Sequence, residues 1–420
     1  MNQFNKTKYN YTTAEKDKES SKFKKYCTGY EELPTVLPPV KRIIAIGDIH
    51  GDYQLTLRCF KIAKLIDDKL NWIAEPKDTV VVQVGDQIDR CRPYKSPDGK
   101  VYKCNDPRAT VNDEASDIKI LKFFTEMHRK AKKYGGGVYS LLGNHEIMNV
   151  QGNMSYVSVM GIKEFENYQD PNKKSVIIKD GQKGRQYAFA PGNEYARFLA
   201  CTRNTSMIIG SNIFVHAGIM PGLLQKYNGN LPKINRLIRK WLLGKINTNN
   251  VDEILNSEEI SPFWPRVLGN ISPNSSNTNC NTTLQATLEV FEDVSNMIIG
   301  HTPQFYTNKH GINSSCNGRL WKVDQGASTA FQLYDPLDNR NGDSLNISEK
   351  RKVQVLEILD DKIFNVLEYD YKPYEDTNMI SNDVQIINSV INKNQNYKLV
   401  EKFDNMSDNK LNFLESVYKL

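Results

Sequence analysis

The run from Arg42 to Asp52 reads RIIAIGDIHGD, and the run from Thr79 to Arg90 reads TVVVQVGDQIDR. Each is an unbroken apolar stretch of strand length, Arg42–Ile46 and Thr79–Val84, that stops abruptly at Gly-Asp. Continuous rather than alternating apolar runs are what strands covered on both faces require. Between them Gln54–Ile66 places apolar residues at helical spacing, so the segment predicts a strand, a helix and a second strand, and with them an α/β fold. Outward from this unit the alternation continues. Helices are expected at Ala115–Lys133, Glu194–Cys201 and Ile234–Leu243. Strands are expected at Gly137–Leu142, Ile208–Val215, Met297–Ile299, Arg319–Val323, Val353–Leu359 and Phe364–Tyr369.

The strands end in short polar turns: Gly47-Asp48-Ile49-His50-Gly51-Asp52, Gly85-Asp86-Gln87-Ile88-Asp89-Arg90, Gly143-Asn144-His145-Glu146, Val215-His216-Ala217-Gly218 and Gly300-His301-Thr302-Pro303. Strand ends are where open α/β sheets build sites, and glycine lets a chain turn sharply as it leaves a strand. Taken singly these turns carry little: Gly-Asp and Gly-Asn are ordinary turn pairs, and a lone histidine after Phe214-Val215 suits a satisfied buried ring. Together they hold four of the chain's six histidines, His50, His145, His216 and His301, each beside a glycine-bearing turn. Core packing does not produce that concentration. Carboxylate, carboxamide and imidazole groups converging in this way are a mixed oxygen and nitrogen ligand set, which suits manganese, iron or zinc better than calcium or magnesium.

The 420 residues carry 55 Lys and Arg against 49 Asp and Glu, a net charge of +6 spread along the chain, and this argues against a nucleic-acid partner. No apolar run is long enough to span a bilayer and the amino terminus has no signal-like apolar core, so a soluble, cytoplasmic protein is expected. Seven scattered cysteines without a CxxC pair suggest neither a disulfide framework nor a zinc knuckle, and free thiols in a reducing compartment are expected. Residues 1–38 read as a disordered polar arm, 39–372 as the folded domain, and 373–420 as an Asn- and Lys-rich tail. Segments 91–112 and 269–283 read as inserted loops.

The series GDIHG, GDQIDR, GNHE, HAG and GHT resembles the calcineurin-like metallophosphoesterase superfamily, and within it the phosphoprotein phosphatase branch. The stretches GNHEIMNVQG, FAPGNEYARFLA, SPFWPR and GRLWKVDQGAS are most similar to the Shewanella-like protein phosphatases, over roughly residues 42–370. The resemblance implies a metallophosphoesterase-type β-sandwich flanked by helices, with a dinuclear metal site at the strand ends. Asp48, His50 and Asp86 would hold one ion. Asp86 would bridge to a second, held also by Asn144, His216 and His301, the two ions lying roughly 3.5–4 Å apart and sharing the nucleophilic hydroxide that attacks in line. His145 would be the general acid with Asp89 behind it, and Arg90 would grip the substrate phosphate, with Arg266 as a second clamp. The substrate would be a phosphoprotein or phosphopeptide, phosphorylated on Tyr or on Ser/Thr.

Departures from the family pattern are as informative. Cys91 stands where the family has a glycine after Asp-Arg, and an insertion follows it. No counterpart of the Ser-Ala-Pro-Asn-Tyr segment of the eukaryotic Ser/Thr enzymes is present. Two other readings stay open: a dinucleotide polyphosphate hydrolase or phosphodiesterase on the same scaffold, and a silent, phosphoprotein-binding pseudophosphatase. Gly300-His301-Thr302-Pro303 in place of a Gly-His-x-His turn favours monoesters over diesters. The complete set of expected ligands favours an enzyme over a pseudophosphatase.

Overall fold

Arg42–Ile46 and Val80–Gln83 are buried at every position, and they pair in parallel, Ile43 opposite Val80 and Ile46 opposite Gln83. The computed structural model describes residues 21–96, 99–273, 276–307, 311–334 and 353–368. Within them one sheet runs Ile363–Glu368, Gln354–Leu359, Arg42–Ile46, Val80–Gln83, Gly137–Leu141, Arg203–Asn204. The second runs Val36–Leu37, Ser206–Ile209, Asn212–Val215, Asn296–Ile299, Leu320–Lys322, Asn313–Ser315. Alternate residues of one strand serve two cores. Ile43, Ala45, Val80 and Val82 meet Met207, Ile209, Phe214 and Ile298 of the second sheet. Ile44, Ile46, Val81 and Val138 face the other way, onto Leu55 and Phe60 of helix Tyr53–Ile62 and Phe124 and Met127 of helix Asp117–Lys132. The second sheet's outer face, with Ile213, Val215, Met297 and Ile299, is covered by helices Pro221–Tyr227 and Leu231–Leu242 among others. The fold is therefore a mixed α/β sandwich of two sheets between helical layers, as expected, and double-sided burial explains the unbroken apolar runs.

Most expected elements fall within a few residues of their places. One does not: Ile208–Val215 is two strands, Ser206–Ile209 and Asn212–Val215, folded into an antiparallel hairpin with Ile209 opposite Asn212. Gly210, at φ 56°, and Ser211 make its two-residue loop, a turn signal that the continuous apolar pattern concealed.

The amino-terminal arm also needs correction from residue 21 onward. Residues 21–26 are helical, Phe23 and Cys27 are buried, and Val36–Leu37 pairs in parallel with Ile208–Ile209 as an edge strand. The expectation of free thiols is overturned too. Cys27 pairs with Cys201, Cys91 with Cys104 and Cys280 with Cys316, leaving Cys59 as the free, buried cysteine. Cα separations of 5.3, 5.7 and 5.3 Å permit these bonds, but partners up to 174 residues apart leave no local signature in the sequence. The 91–112 insertion is ordered by its own disulfide, a small hairpin of Tyr94–Lys95 with Val101–Tyr102, and a buried cluster of Cys91, Tyr102, Cys104 and Ala109. In the 269–283 loop Cys280 is tied to Cys316. The expected tail, 373–420, lies outside the described residues.

Candidate metal centre and active site

Strand register brings the polar turns together. Ile46 is level with Gln83, and Gln83 with Ser140, so the turns carrying Asp48, Asp86 and Asn144 leave the first sheet at one height. Val215 is level with Ile299 in the second sheet, which sets His216 beside His301. The two sheets deliver their turns to one point. Close approach rather than turning explains some of the glycines: a Cβ on Gly143 would strike Asp86 Oδ1, and one on Gly300 would strike Asp48 Oδ1. Four site residues have left-handed backbone without being glycine, His50 at φ 47°, Asp86 at 54°, Asp89 at 73° and His301 at 66°. Non-glycine residues adopt that region at an energetic cost, and such strain concentrates at functional sites.

The imidazoles show what the cluster is built to hold. His216 Nδ1 lies 2.9 Å from the carbonyl of Val84 and His301 Nε2 lies 2.9 Å from that of Trp264. A carbonyl only accepts, so those nitrogens carry hydrogens and the opposite ones, His216 Nε2 and His301 Nδ1, are turned to the centre, where each presents a lone pair when its ring is neutral. Both point at Asn144 Oδ1, each at 2.9 Å, and His216 Nε2 is also 3.3 Å from Asp86 Oδ2. Two imidazole nitrogens, a carboxamide oxygen and a carboxylate thus converge, a donor set that a cation can bind. On the other side His50 Nε2 is 3.8 Å from Asp48 Oδ2 and 3.9 Å from Asp86 Oδ2, while His50 Nδ1 is buried without a protein partner. Two groups of side chains, His50 with Asp86 and His145, and Asp86 with His216 and His301, have the spacing to hold metal ions.

Electrostatics point the same way. Burial, with the neighbouring carboxylates of Asp324 and Asp86, pushes Asp48 well above the usual carboxylate range. Burial also opposes ionisation of Asp86, but His216 and His145 outweigh it and hold this carboxyl well below that range. His50, through burial and the charges of Arg92 and His145, and His301, through burial and those of Arg266 and His216, are pushed well below the ordinary imidazole value. Neutral imidazoles are the form that binds metal. His216 goes the other way: burial lowers it, but the Asp86 carboxylate and the Val84 carbonyl outweigh that and raise it. A cation bound beside Asp48 and Asp86 would take over that role and relieve the crowded carboxylates.

His145 turns its other edge to Asp89: Nδ1 donates to Asp89 Oδ2 at 2.8 Å. Nε2 faces the centre, 3.9 Å from Asp86 Oδ2. Asp89 is anchored from behind. Asn149 Nδ2 donates to its Oδ1 at 2.8 Å, and Arg185, fully buried, lies 3.6 Å from that oxygen while pairing with Asp117 at 2.7 Å. Asn149 Oδ1 accepts in turn from Arg185 Nε at 2.8 Å. Glu146 welds the turns together, accepting from the backbone N–H groups of Gly143 at 2.7 Å, Asp86 at 2.9 Å and Gln87 at 2.8 Å. Arg266 is at the rim, its Nη1 donating to the His301 carbonyl at 2.6 Å.

Arg90 is buried against Asp52, 3.3 Å away, and donates to the carbonyls of Gly51 and Asn112, while its Nε is buried without a partner.

Four buried residues that received no role from the sequence belong to this constellation. Glu146 and Asn149 were in view within GNHEIMNVQG, and Asp324 within GRLWKVDQGAS. Asp324 is 1% exposed and its Oδ2 has no partner in the protein. Burial and the charge of Asp86 push its carboxyl up to about 6, against the pull of the Gly326 N–H. Arg185 had no signal, since its partners lie 24 to 68 residues away along the chain.

Residues 41–305 match the calcineurin-like phosphoesterase family. The chain is 39% identical over 263 residues to an uncharacterized protein of Acanthamoeba polyphaga mimivirus, covering 58% of this chain and 97% of that one. It is 28% identical over 326 residues to Shewanella-like protein phosphatase 2 of Arabidopsis thaliana, covering 71% and 74%. Among solved structures a cold-active protein tyrosine phosphatase shares the fold, with a TM-score of 0.52 at 20% identity over 83% of this chain and 85% of that one. No described helix is long and apolar enough to cross a membrane. With a cation-seeking cluster at the strand ends and this match across most of the folded region, the chain belongs to the calcineurin-like phosphoesterase family and is a metallophosphatase.

Proposed function

We propose that the protein removes phosphate from phosphoproteins or phosphopeptides as a monoesterase, using two transition-metal ions of the manganese, iron and zinc kind. Asp48, His50 and Asp86 would hold one ion, and Asp86, Asn144, His216 and His301 the other. The observation that carries this reading is the His145–Asp89 pair, bonded at 2.8 Å, with Nε2 turned to the acceptor cluster. The names of relatives, Shewanella-like protein phosphatases of Arabidopsis thaliana and of Plasmodium berghei, agree with it.

When bound, the ions supply Lewis-acid charge to the phosphoryl oxygens and to the attacking water. The chain supplies the rest. His145 Nε2 delivers a proton to the leaving oxygen, needed because an alkoxide is a poor leaving group. Asp89 fixes the Nδ1–H tautomer and balances the imidazolium, and Asn149 and Arg185 keep that carboxylate in place. Arg266, bonded to the His301 carbonyl, would reach the phosphate from that side.

Metal-stripped protein resupplied with manganese is tested on p-nitrophenyl phosphate, on matched phosphotyrosine and phosphothreonine peptides, and on bis-p-nitrophenyl phosphate. Monoester turnover is expected, reduced about 10²–10⁴-fold in His145→Asn. The peptide ratio assigns Tyr or Ser/Thr preference. Turnover of the diester alone, or none with metal bound, would overturn the reading. The proposed cytoplasmic location loses its thiol support, since three disulfides accord better with an oxidising compartment.

A further inference from the structure

The segment Arg90-Cys91-Arg92-Pro93 offers two guanidinium groups, and the structure uses them differently. Arg90 is a structural residue. Its Nη1 is 3.3 Å from Asp52 Oδ2 and 3.2 Å from the Gly51 carbonyl, and its Nη2 donates to the Asn112 carbonyl at 3.1 Å. Asp52 is itself committed: it caps helix Tyr53–Ile62 through the Leu55 N–H and accepts from Thr329 N and Oγ1. Freeing Arg90 for a ligand would strand a buried carboxylate.

Arg92 is set against the two aromatic rings that flank the site histidines. Its guanidinium lies 4.7 Å from the Phe331 ring centre and 5.3 Å from that of Tyr156. Those two rings are the neighbours of the site histidines: Phe331 is 5.4 Å from the His50 ring, and Tyr156 is 5.0 Å from the His145 ring. Arg92 thus stands one aromatic ring away from both the expected metal ligand and the expected acid. Its Nη1 curls back to the carbonyls of Asp89 at 3.1 Å and Cys91 at 2.8 Å, which fixes the head. Among the described residues Nε and Nη2 have no hydrogen-bond partner, and neither is among the buried, unsatisfied atoms, so both keep exposed surface. The backbone is equally fixed: Cys91, bonded to Cys104, donates its N–H to the Tyr156 carbonyl at 3.1 Å.

We propose that Arg92, rather than Arg90, is the guanidinium that binds the substrate phosphate opposite Arg266. The substitution of Cys91 for glycine and the insertion behind it are then one device: they bury the first arginine as a strut and present the second. A guanidinium already held between two rings and two carbonyls loses little freedom on binding, and its Nε and Nη2 form the edge that grips two phosphate oxygens. This rests on the phosphatase reading for its substrate but concerns phosphate recognition alone.

The test titrates metal-loaded wild-type, Arg92→Met and Arg92→Lys proteins with inorganic phosphate by calorimetry, with metal content and melting temperature measured on the same samples, and follows p-nitrophenyl phosphate turnover. Arg92→Met is expected to weaken phosphate binding about 10- to 100-fold, the size of one charge-assisted hydrogen bond, with KM for the monoester rising in parallel and Arg92→Lys recovering part of the loss. Phenylglyoxal labelling of the wild-type protein, mapped by mass spectrometry, needs no variant: Arg92 is expected to react and to be protected by phosphate, and Arg90 to resist. Unchanged phosphate affinity in Arg92→Met, or protection of Arg90 instead, overturns the assignment and leaves the phosphatase reading standing if turnover persists. Arg92-dependent phosphate binding in a protein that turns over no monoester sustains the assignment and defeats the phosphatase reading.

Discussion

At the scale of single residues the site depends on side chains whose orientation is decided by what lies behind them. His216 and His301 turn Nε2 and Nδ1 inward because the Val84 and Trp264 carbonyls accept from their other nitrogens. Asp89 faces His145 because Asn149 and Arg185 occupy its far side. Arg185 is the keystone of that layer, with no exposed surface and ties to Asp117, Asn149 and the Gly161 carbonyl. Removing one partner of a buried pair leaves an uncompensated charge, so Arg185→Met is expected to lower stability by about 3–5 kcal/mol, read from urea unfolding. The same variant separates position from chemistry. If Asp89 relies on Arg185, the pH profile of kcat in the folded fraction shifts, whereas a purely structural part for Arg185 leaves the profile unchanged.

At the scale of elements, parallel register does the positioning. A one-residue slip of Val80–Gln83 against Arg42–Ile46 would turn its inward and outward apolar sets onto the wrong layers, and Asp86 would no longer stand level with Asp48. The strand Leu320–Lys322 shows how a polar residue is tolerated inside such an element. Lys322 is fully buried, its Nζ donating to the Ile271 carbonyl and to Ser315 Oγ, and burial pulls the ammonium from 10.5 to about 8. Here the folded value is the lower one, so between about pH 8 and 10.5 the unfolded chain binds the extra proton and stability rises with pH. Relative to Lys322→Met, the wild type is therefore expected to gain in melting temperature across that window. A difference that stays flat from pH 7.5 to 10.5 would contradict a depressed Lys322.

At the scale of the whole molecule, the centre is a junction between the two sheets. Asp48, His50, Asp86 and Asn144 come from turns of the first, His216 and His301 from turns of the second. A cation held by both groups would tie the sheets together. Saturating manganese is expected to raise stability by about 2.7 kcal/mol at a hundred times its dissociation constant, and chelator to reverse the gain in a thermal melt. The Cys27–Cys201 bond is a second long-range tie, fixing the amino-terminal helix to helix Glu194–Thr202 across 174 residues. Cys27→Ser is expected to cost about 2–5 kcal/mol, measured by denaturation in the absence of reductant. Equal stability of the two proteins would show that packing of Phe23 and pairing of Val36–Leu37 hold the segment without the bond.

Much of this was legible in the sequence because it is local. Unbroken apolar runs specify strands covered on both faces, and the residues at their ends, Asp48, His50, Asp86, Asn144, His145, His216 and His301, are the ones the structure gathers. The pairing of Asp89 with His145 likewise agrees with the expectation carried by the GDQIDR and GNHE turns. What tertiary structure decided is what depends on distant partners. The Cys27–Cys201 bond, the Asp117–Arg185 strut and the orphaned carboxylate of Asp324 have no neighbour in sequence that announces them. Most of all, Arg90 and Arg92 have the same side chain two positions apart. Only the buried carboxylate of Asp52 on one side and the rings of Phe331 and Tyr156 on the other set their surroundings apart. A sequence fixes which groups are available. The fold fixes which of them are already bonded, and so which remain free to meet a ligand.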